Sequence, residues 1–205
     1  MMPMKLLPVL VLAVTCAVAQ EIQQMPSEKT SKIARMLVTT LGSPDDAPFA
    51  VDPNAEKSSG IKGGGETGLI AIPDRKLTAE SVANASQTVS ALGQLWMRNV
   101  VPAVNGAAPD PAQLRTVTVR DGDNEAKVEA YFLGITKGDG GALELAIYAK
   151  GNSPLVKVSL AKTDAAASAT PISLDGHKEG ENTGVLVVTV FGSYKADVTV
   201  TKPRQ

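Results

Sequence analysis

The sequence predicts a mainly β protein: an antiparallel β-sandwich with an N-terminal helix and one short additional helix. Two observations lead to this fold class. Short segments in the C-terminal half alternate apolar and polar residues with the period of two that half-buried strands require. Turn sequences rich in Gly, Asp and Asn, such as "KGDGGA" and "DGHKEGENTG", separate these segments at the spacing typical of sandwiches.

Residues 1–19 have the pattern of a secretory signal peptide. Lys5 supplies a positive charge, residues 6–14 form an apolar region, and residues 17–19 fit a small-x-small cleavage site. The apolar region is shorter than the roughly 20 residues that a membrane span needs. We therefore expect a mature chain that begins at Gln20, has no transmembrane span, and is exported to the periplasm or the extracellular space.

Composition narrows the function classes. Cys16 is the only cysteine and lies in the predicted signal peptide, so the mature chain has no disulfide, thiol nucleophile or cysteine-based metal site. The whole chain has a formal net charge of −1, and its basic residues are scattered. Nucleic-acid binding requires a clustered positive surface, so we expect no nucleic-acid partner.

Residues 20–65 predict a helix followed by a Gly/Pro/Ser-rich linker. Residues 27–41 have helical spacing, and a glycine and a proline follow them directly. The apolar face of this helix consists of Ile33, Met36, Leu37 and Leu41. We expect this face to pack on the protein's own domain; the alternative is a helix that binds a partner or a membrane surface.

The predicted sandwich domain spans residues 66–205. Its first strand is "GLIAIP", followed by a short helix with Thr78 as N-cap and by a strand over residues 94–101, placed at a sheet edge because of Pro102. The remaining strands are "RTVTVR", "KVEAYFLGI", "ALELAIYA", "LVKVSLAK", "VLVVTVF" and "ADVTVT". The segment "VLVVTVF" is apolar on both faces, which predicts a central strand covered on both sides, with Phe191 in the core.

The strand pattern resembles that of immunoglobulin-like architectures. The resemblance concerns the number and spacing of short strands, and no Cys…Trp…Cys signature accompanies it. It implies a two-sheet sandwich and carries no functional residues.

The stretch "GIKGGGETGLIAIP" raises the question of a phosphate-binding loop. A P-loop follows a strand, ends in Gly-Lys-Ser/Thr and opens a helix. Here the glycines precede a predicted strand, and Lys62 comes before them rather than after. We interpret the stretch as a flexible lead-in to a strand, and we expect no cofactor.

Asp121, Asp123 and Glu125 form one weak candidate for a calcium site. In "DGDNEA" the carboxylates occupy positions 1, 3 and 5, as in a calcium loop. An EF-hand also requires glycine at position 6 and glutamate at position 12, where this chain has Ala126 and Phe132. The flanking strands favour a hairpin turn.

No residue stands in a catalytic context. His177, the only histidine, lies in a polar stretch that predicts an exposed turn, and no nucleophile motif accompanies it. Aromatic residues make up only 3% of the chain and fall mostly in predicted strands, which favours core positions over sugar-stacking platforms. The position of Trp96, inside or outside, stays open.

These observations favour a non-catalytic exported β-sandwich protein. It would act as a binding or accessory module whose partner is another envelope or secreted protein. One alternative is a carboxylate-based or calcium-dependent enzyme acting on polysaccharide, which requires acids from different turns to meet in one cleft. A second alternative is an inhibitor or periplasmic chaperone-like protein that uses an edge strand near "NVVPAV".

The signal-peptide hypothesis predicts the N-terminus of the exported protein. N-terminal sequencing of secreted or periplasmic material should give Gln20 as the first residue, because residues 17–19 offer the small side chains that signal peptidase requires. Exported protein that begins at Met1, or at a lipidated Cys16, would contradict the hypothesis.

Overall fold

The computed structural model describes residues 22–204, so the predicted signal peptide and the Gln20 terminus lie outside the described residues. The helices are α1 (Ser27–Leu41) and α2 (Ala79–Ala83). The strands are β1 (Gln23–Gln24), β2 (Ser59–Lys62), β3 (Gly68–Pro73), β4 (Ser90–Arg98), β5 (Val101–Pro102), β6 (Thr116–Asp121), β7 (Asn124–Lys137), β8 (Leu143–Tyr148), β9 (Val156–Ser159), β10 (Ala161–Lys162), β11 (Ile172–Lys178), β12 (Thr183–Val190) and β13 (Tyr194–Thr201). The prediction of a mainly β protein with two helices is confirmed.

The strands form two antiparallel sheets. The first sheet has the order β1-β2-β3-β4-β7-β8-β9, with β6 paired to the first half of β7. The second sheet has the order β10-β13-β12-β11, with β5 paired to the end of β13. Side chains from both sheets share one buried cluster, in which Leu95 and Leu133 of the first sheet meet Leu186 and Val188 of the second. The arrangement is sandwich-like; its immunoglobulin-like character stays a prediction.

Helix α1 lies on the face of the first sheet that points away from the second sheet. Its buried side chains are Thr30, Ser31, Ala34 and Leu37, and they pack over a row of outer-face residues that includes Trp96. The helix therefore packs on its own domain, as expected. The predicted apolar face is rotated, however: Ile33 and Met36 are only partly buried at its border.

Small side chains form the centre of this interface because the helix passes close to the sheet backbone. A Cβ atom added to Gly60 would lie 3.1 Å from the Cγ2 atom of Thr30. Trp96 is 2% exposed beneath the helix, and its indole N–H donates to the Oε1 atom of Gln94 over 3.1 Å. The position of Trp96 is thus settled: it is a core residue.

Residues 43–58, which we call the strap, cross the outer face of the first sheet beside α1. Phe49 of the strap packs edge-on against Phe132 and Tyr148, at centroid distances of 6.1 and 5.3 Å. The predicted linker therefore covers the sheet along part of its length. Its last part, residues 59–62, is strand β2 and belongs to the first sheet.

Strand β12 is central in its sheet, as predicted, but it is not covered on both faces. Leu186, Val188 and Val190 point into the core, whereas Val185 and Val187 are half-exposed on the outer face. The expectation of a doubly covered strand is wrong, because the helix and the strap lie on the first sheet and leave the outer face of the second sheet to solvent.

Phe191 lies outside β12, in the hairpin turn to β13, and its predicted core position is also wrong. Its φ of 49° falls in the left-handed region, which is unusual for a bulky residue. Backbone hydrogen bonds hold it there: its N–H donates to Pro171, and its carbonyl accepts from Ser168. The ring is partly buried at the border of the core.

A pair of valine variants tests the asymmetry of β12. Val188→Ala removes two buried methyl groups, so the free energy of unfolding should fall by roughly 2 kcal/mol from lost burial and the cavity left behind. Val187→Ala changes a half-exposed neighbour and should cost less than about 1 kcal/mol. Urea denaturation of both variants measures the difference, and equal losses would contradict the exposed outer face.

Candidate functional site

The chain switches sheets between β9 and β10. Residues 156–159 pair with β8 in the first sheet, and residues 161–162 pair with β13 in the second. Between the two strands, Leu160 is 3% exposed in the shared core, and its N–H donates to the Leu143 carbonyl. Strands that change sheets in this way form the corners of sandwiches. The predicted single strand "LVKVSLAK" is therefore two short strands with a bend.

This bend leaves strand edges without ladder partners. The free edge of β9 is the border of the first sheet. On β13, Lys195 pairs with β10, and the Thr199 carbonyl accepts from Ala103 just after β5, whereas residues 196–198 have a ladder partner only on the β12 side. We call the place where these two open edges meet the fork. The edge placement predicted for residues 94–101 is wrong: most of that segment belongs to β4, which lies between β3 and β7. In "NVVPAV" only the short strand β5 forms, and it pairs with β13.

A groove of about 600 Å³ occupies the fork. Its lining residues are Val158, Ser159, Ala161, Lys162, Thr163, Lys195 and Asp197. Lys195 pairs with Asp197 over 3.2 Å, and just outside the groove Lys157 pairs with Glu144 over 3.4 Å. Lys162 is exposed and makes no ion pair with any residue between 22 and 204. The fork thus combines apolar surface, open strand edges and an exposed lysine.

A second cleft, of about 410 Å³, contains two carboxylates from different parts of the chain, Asp52 and Asp74. Both oxygen atoms of Asp74 accept backbone hydrogen bonds, from the N–H of Asp52 over 2.8 Å and from that of Lys76 over 2.7 Å. Asp52 pairs with Arg75 over 3.3 Å. These contacts tie the strap to the end of β3, so the acids that meet in this cleft have structural partners.

Glu129 and Tyr131 lie on the core-facing side of β7. Burial raises the pKa of the Glu129 carboxyl, which accepts a hydrogen bond from the Thr116 hydroxyl over 3.0 Å. Burial also raises the pKa of the Tyr131 hydroxyl, and the charge of Glu129 adds to the rise. The Tyr131 hydroxyl has no hydrogen-bond partner among residues 22–204. Neither side chain lines one of the two clefts described above.

The calcium candidates Asp121, Asp123 and Glu125 lie at the β6–β7 hairpin. Asp121 pairs with Asn124 across a two-residue turn, in which Gly122 has a φ of 61°. Glu125 pairs with Arg120 over 3.1 Å. Within residues 22–204, no group of three or more His, Cys, Asp or Glu side chains is arranged to hold a metal ion. The segment is a hairpin turn, and its acids do not converge.

The structure also shows where His177 and the glycine-rich stretch lie. His177 is exposed, but it lies in strand β11, opposite Val185, rather than in a turn; its Nε2 atom is 3.9 Å from the Oε1 atom of Glu179. The glycine-rich stretch is the β2–β3 hairpin. Its N–H at Gly63 donates to the Thr67 carbonyl, and the left-handed φ of Gly65 is 62°. It is therefore a turn between two paired strands.

A buried arginine anchors the strap. The side chain of Arg115 is 9% exposed and donates to the Asp46 carboxylate, while its Nη2 atom donates to the Ala149 carbonyl over 3.0 Å. The guanidinium also stacks over the Phe132 ring at 5.5 Å. The hydrogen bond from Arg115 lowers the pKa of the Asp46 carboxyl below its usual range.

No helix among the described residues is long and apolar enough to cross a bilayer.

Removal of the Asp46 carboxylate should loosen the strap. In Asp46→Ala the buried guanidinium of Arg115 loses its charged acceptor; because the Asp46 carboxylate is 52% exposed and water can partly replace it, the free energy of unfolding at pH 7 should fall by roughly 1 kcal/mol. The matched control is Asp45→Ala, which changes an exposed neighbour that makes no ion pair within residues 22–204 and should stay within about 0.5 kcal/mol of the wild type. Equal effects in urea denaturation would contradict the anchor.

The same pair of proteins should show a defined pH dependence. The folded-state pKa of Asp46 is depressed, so its contribution is present above the unfolded-state pKa of about 3.9 and is lost as the pH falls through the folded value. The stability difference between the wild type and Asp46→Ala should therefore shrink below about pH 4. A difference that stays constant into strong acid would show that the Asp46 charge is not involved.

Chelation should not change the stability of the mature protein. The acids of the β6–β7 hairpin do not converge, and Glu125 already has a basic partner. Thermal melts with and without EDTA should superimpose. A fall of more than a few degrees on chelation would restore the calcium hypothesis for Asp121, Asp123 and Glu125.

Comparison with known proteins gives no relative from which a role could be transferred. No protein-family model matches the chain. No curated protein and no solved structure matches it either.

Proposed function

We propose that this protein is a non-catalytic, exported β-sandwich module that binds another protein of the cell envelope or the secreted fraction. The signal-peptide pattern of residues 1–19 supports export. The observation that supports binding is the fork, where two strand edges and a groove of about 600 Å³ meet at one flank of the sandwich.

An open strand edge is a binding element because its backbone N–H and C=O groups can pair with a further strand. At the fork these edges adjoin the apolar side chains of Val158 and Ala161, which an incoming segment would cover. Main-chain hydrogen bonds supply affinity in this mode of recognition, and side-chain contacts supply specificity. Binding in this mode requires no catalytic residue and no cofactor.

The polysaccharide-hydrolase alternative has less support. Its requirement was a cleft in which acids from different turns converge, and Asp52 and Asp74 do share one. Hydrolysis requires one carboxyl group to act as an acid and the other as a base or nucleophile. Asp74 instead uses both oxygen atoms to accept backbone N–H groups, and Asp52 pairs with Arg75.

Competitive affinity capture tests the proposed function. The mature chain from Gln20 is immobilised and incubated with a native envelope or secreted extract, with and without an excess of the same soluble protein. We expect one or a few exported proteins to be retained and to be displaced by the competitor. If every retained protein is insensitive to competition, the binding-module hypothesis is wrong.

A further inference from the structure

We propose that residues 43–51, the first part of the strap, form a flap that Arg115 and Phe49 close and that opens while the sandwich stays folded. Opening uncovers the aromatic recess in which the Phe49 ring lies. The proposal follows from the few hydrogen bonds of the flap, the shallow burial of its side chains and the firm pairing of the residues next to it. The flap shares no residue with the lining of the fork, so the proposal does not depend on the proposed function.

One side chain makes the hydrogen bonds that hold the flap to the rest of the protein. Within residues 22–204, every hydrogen bond between the flap and another segment comes from Arg115, which donates to the carboxylate and to the carbonyl of Asp46. The backbone hydrogen bond inside the flap runs from the Ala47 N–H to the Pro44 carbonyl over 3.1 Å. Pro44 and Pro48 have no N–H to donate. The flap can therefore move without breaking any ladder or helix hydrogen bond.

The side chains of the flap are exposed or partly buried, although the surface beneath them is buried. Its apolar residues cover three buried side chains on β7 and β8: Phe132, Ala146 and Tyr148. The free energy of local opening is lowest where a segment buries few apolar groups and makes few backbone hydrogen bonds. The flap meets both conditions, so its opening should cost less than unfolding of the domain.

The recess beneath Phe49 is formed by the two strands under the flap. Gly134 pairs with Ala146 across β7 and β8, and a Cβ atom added to Gly134 would lie 3.2 Å from the Cζ atom of Phe49. Glycine thus leaves the room that the ring fills. The neighbouring pair, Phe132 and Tyr148, supplies the rings against which Phe49 packs edge-on. When Phe49 leaves, both rings become accessible.

The contact that closes the flap is itself partly open to water. The Asp46 carboxylate is half-exposed, whereas the Arg115 side chain that it meets is buried. The Nε–H group of Arg115 has no hydrogen-bond partner among residues 22–204, so the closed state leaves part of the guanidinium unsatisfied. Water that enters on opening can solvate both groups, which lowers the cost of opening.

The residues on either side of the flap limit how far the opening extends. Before it, Gly42 ends α1 with a φ of 61°, and its N–H donates to the Val38 carbonyl. After it, the Asp52 N–H donates to the Asp74 carboxylate, and the Asn54 N–H donates to the Pro73 carbonyl, each over 2.8 Å. The chain is therefore fixed at both ends of the flap and free to move between them.

Thiol labelling tests the opening, because the mature chain from Gln20 has no cysteine. The variant Ala146→Cys places a thiol beneath the flap, and the matched variant Ala71→Cys places one between the two sheets. Both alanines are fully buried, so each thiol reacts with a soluble disulfide reagent only after an opening. We expect Ala146→Cys to react at least about tenfold faster than Ala71→Cys.

Urea distinguishes local opening from global unfolding. The labelling rate of Ala71→Cys should rise steeply with urea, because the urea dependence scales with the surface exposed on opening. The rate of Ala146→Cys should change little at low urea. Equilibrium unfolding of each variant corrects for any destabilisation caused by the new side chain. Labelling that follows the global stability of both variants with the same urea dependence would overturn the proposal.

A second pair of changes tests whether Arg115 closes the flap. In the Ala146→Cys chain, Asp46→Ala should raise the labelling rate by about fivefold, because the closed state loses its ionic contact. Asp45→Ala, which changes an exposed neighbour, should leave the rate unchanged. Equal rates in the two chains would show that the Arg115 contact does not close the flap, and the proposal would be wrong.

Chymotrypsin tests the same opening in the unmodified mature protein, and this test does not require the cysteine variants to fold. The enzyme cleaves after aromatic residues, and it can bind the segment around Phe49 only when the ring has left its recess. We expect an early cut between Phe49 and Ala50, with the circular dichroism of the sheets preserved. A bond that is cut only at the rate of global unfolding would overturn the proposal.

Discussion

The structure depends on the burial of the first sheet on both of its faces. Its central strands are apolar on each side: in β3 and β4 the row Ala71–Leu95 faces the second sheet, and the row Ile70–Trp96 faces the helix. A strand of this kind is stable only if both faces are covered. The second sheet covers one face, and α1 with the strap covers the other, so residues 27–58 are part of the fold.

The alternation of apolar and polar residues was enough to predict the fold class, most strands and α1. It could not predict which face of α1 contacts the sheet. Packing there depends on the distance between the helix and the sheet backbone as well as on hydropathy. Thr30 and Ala34 occupy the centre because the backbone at Gly60 approaches closely, whereas the larger Ile33 and Met36 lie at the border. The same limit applies to β12: two apolar faces predict two covers, yet Val187 is half-exposed, because the covering elements of this chain lie on the other sheet.

The fork could not be predicted from the sequence for a related reason. Val156, Val158 and Leu160 alternate without interruption, and the chain nevertheless leaves one sheet at Leu160 and enters the other at Ala161. Period-two patterning specifies which side of a strand is buried, and both sheets bury the same side toward their common core. A change of sheet therefore leaves the pattern intact. The position of Lys162 beside two open strand edges likewise required the fold.

The two flanks of the sandwich differ in whether a side chain bridges the two sheets. At the opposite flank, β1 extends the first sheet, and the Gln24 side chain donates to the Leu174 carbonyl of β11 in the second sheet over 2.7 Å. Ile22 packs beside Gly176 and Ile61, so apolar contacts accompany this bridge. No comparable side chain bridges the open edges at residues 196–198 of β13 within the described part of the chain. Unpaired edges expose backbone groups that invite further strands; the outer edge of β11, which pairs only with β12, therefore has in Gln24 a side-chain bridge to the first sheet that the fork lacks.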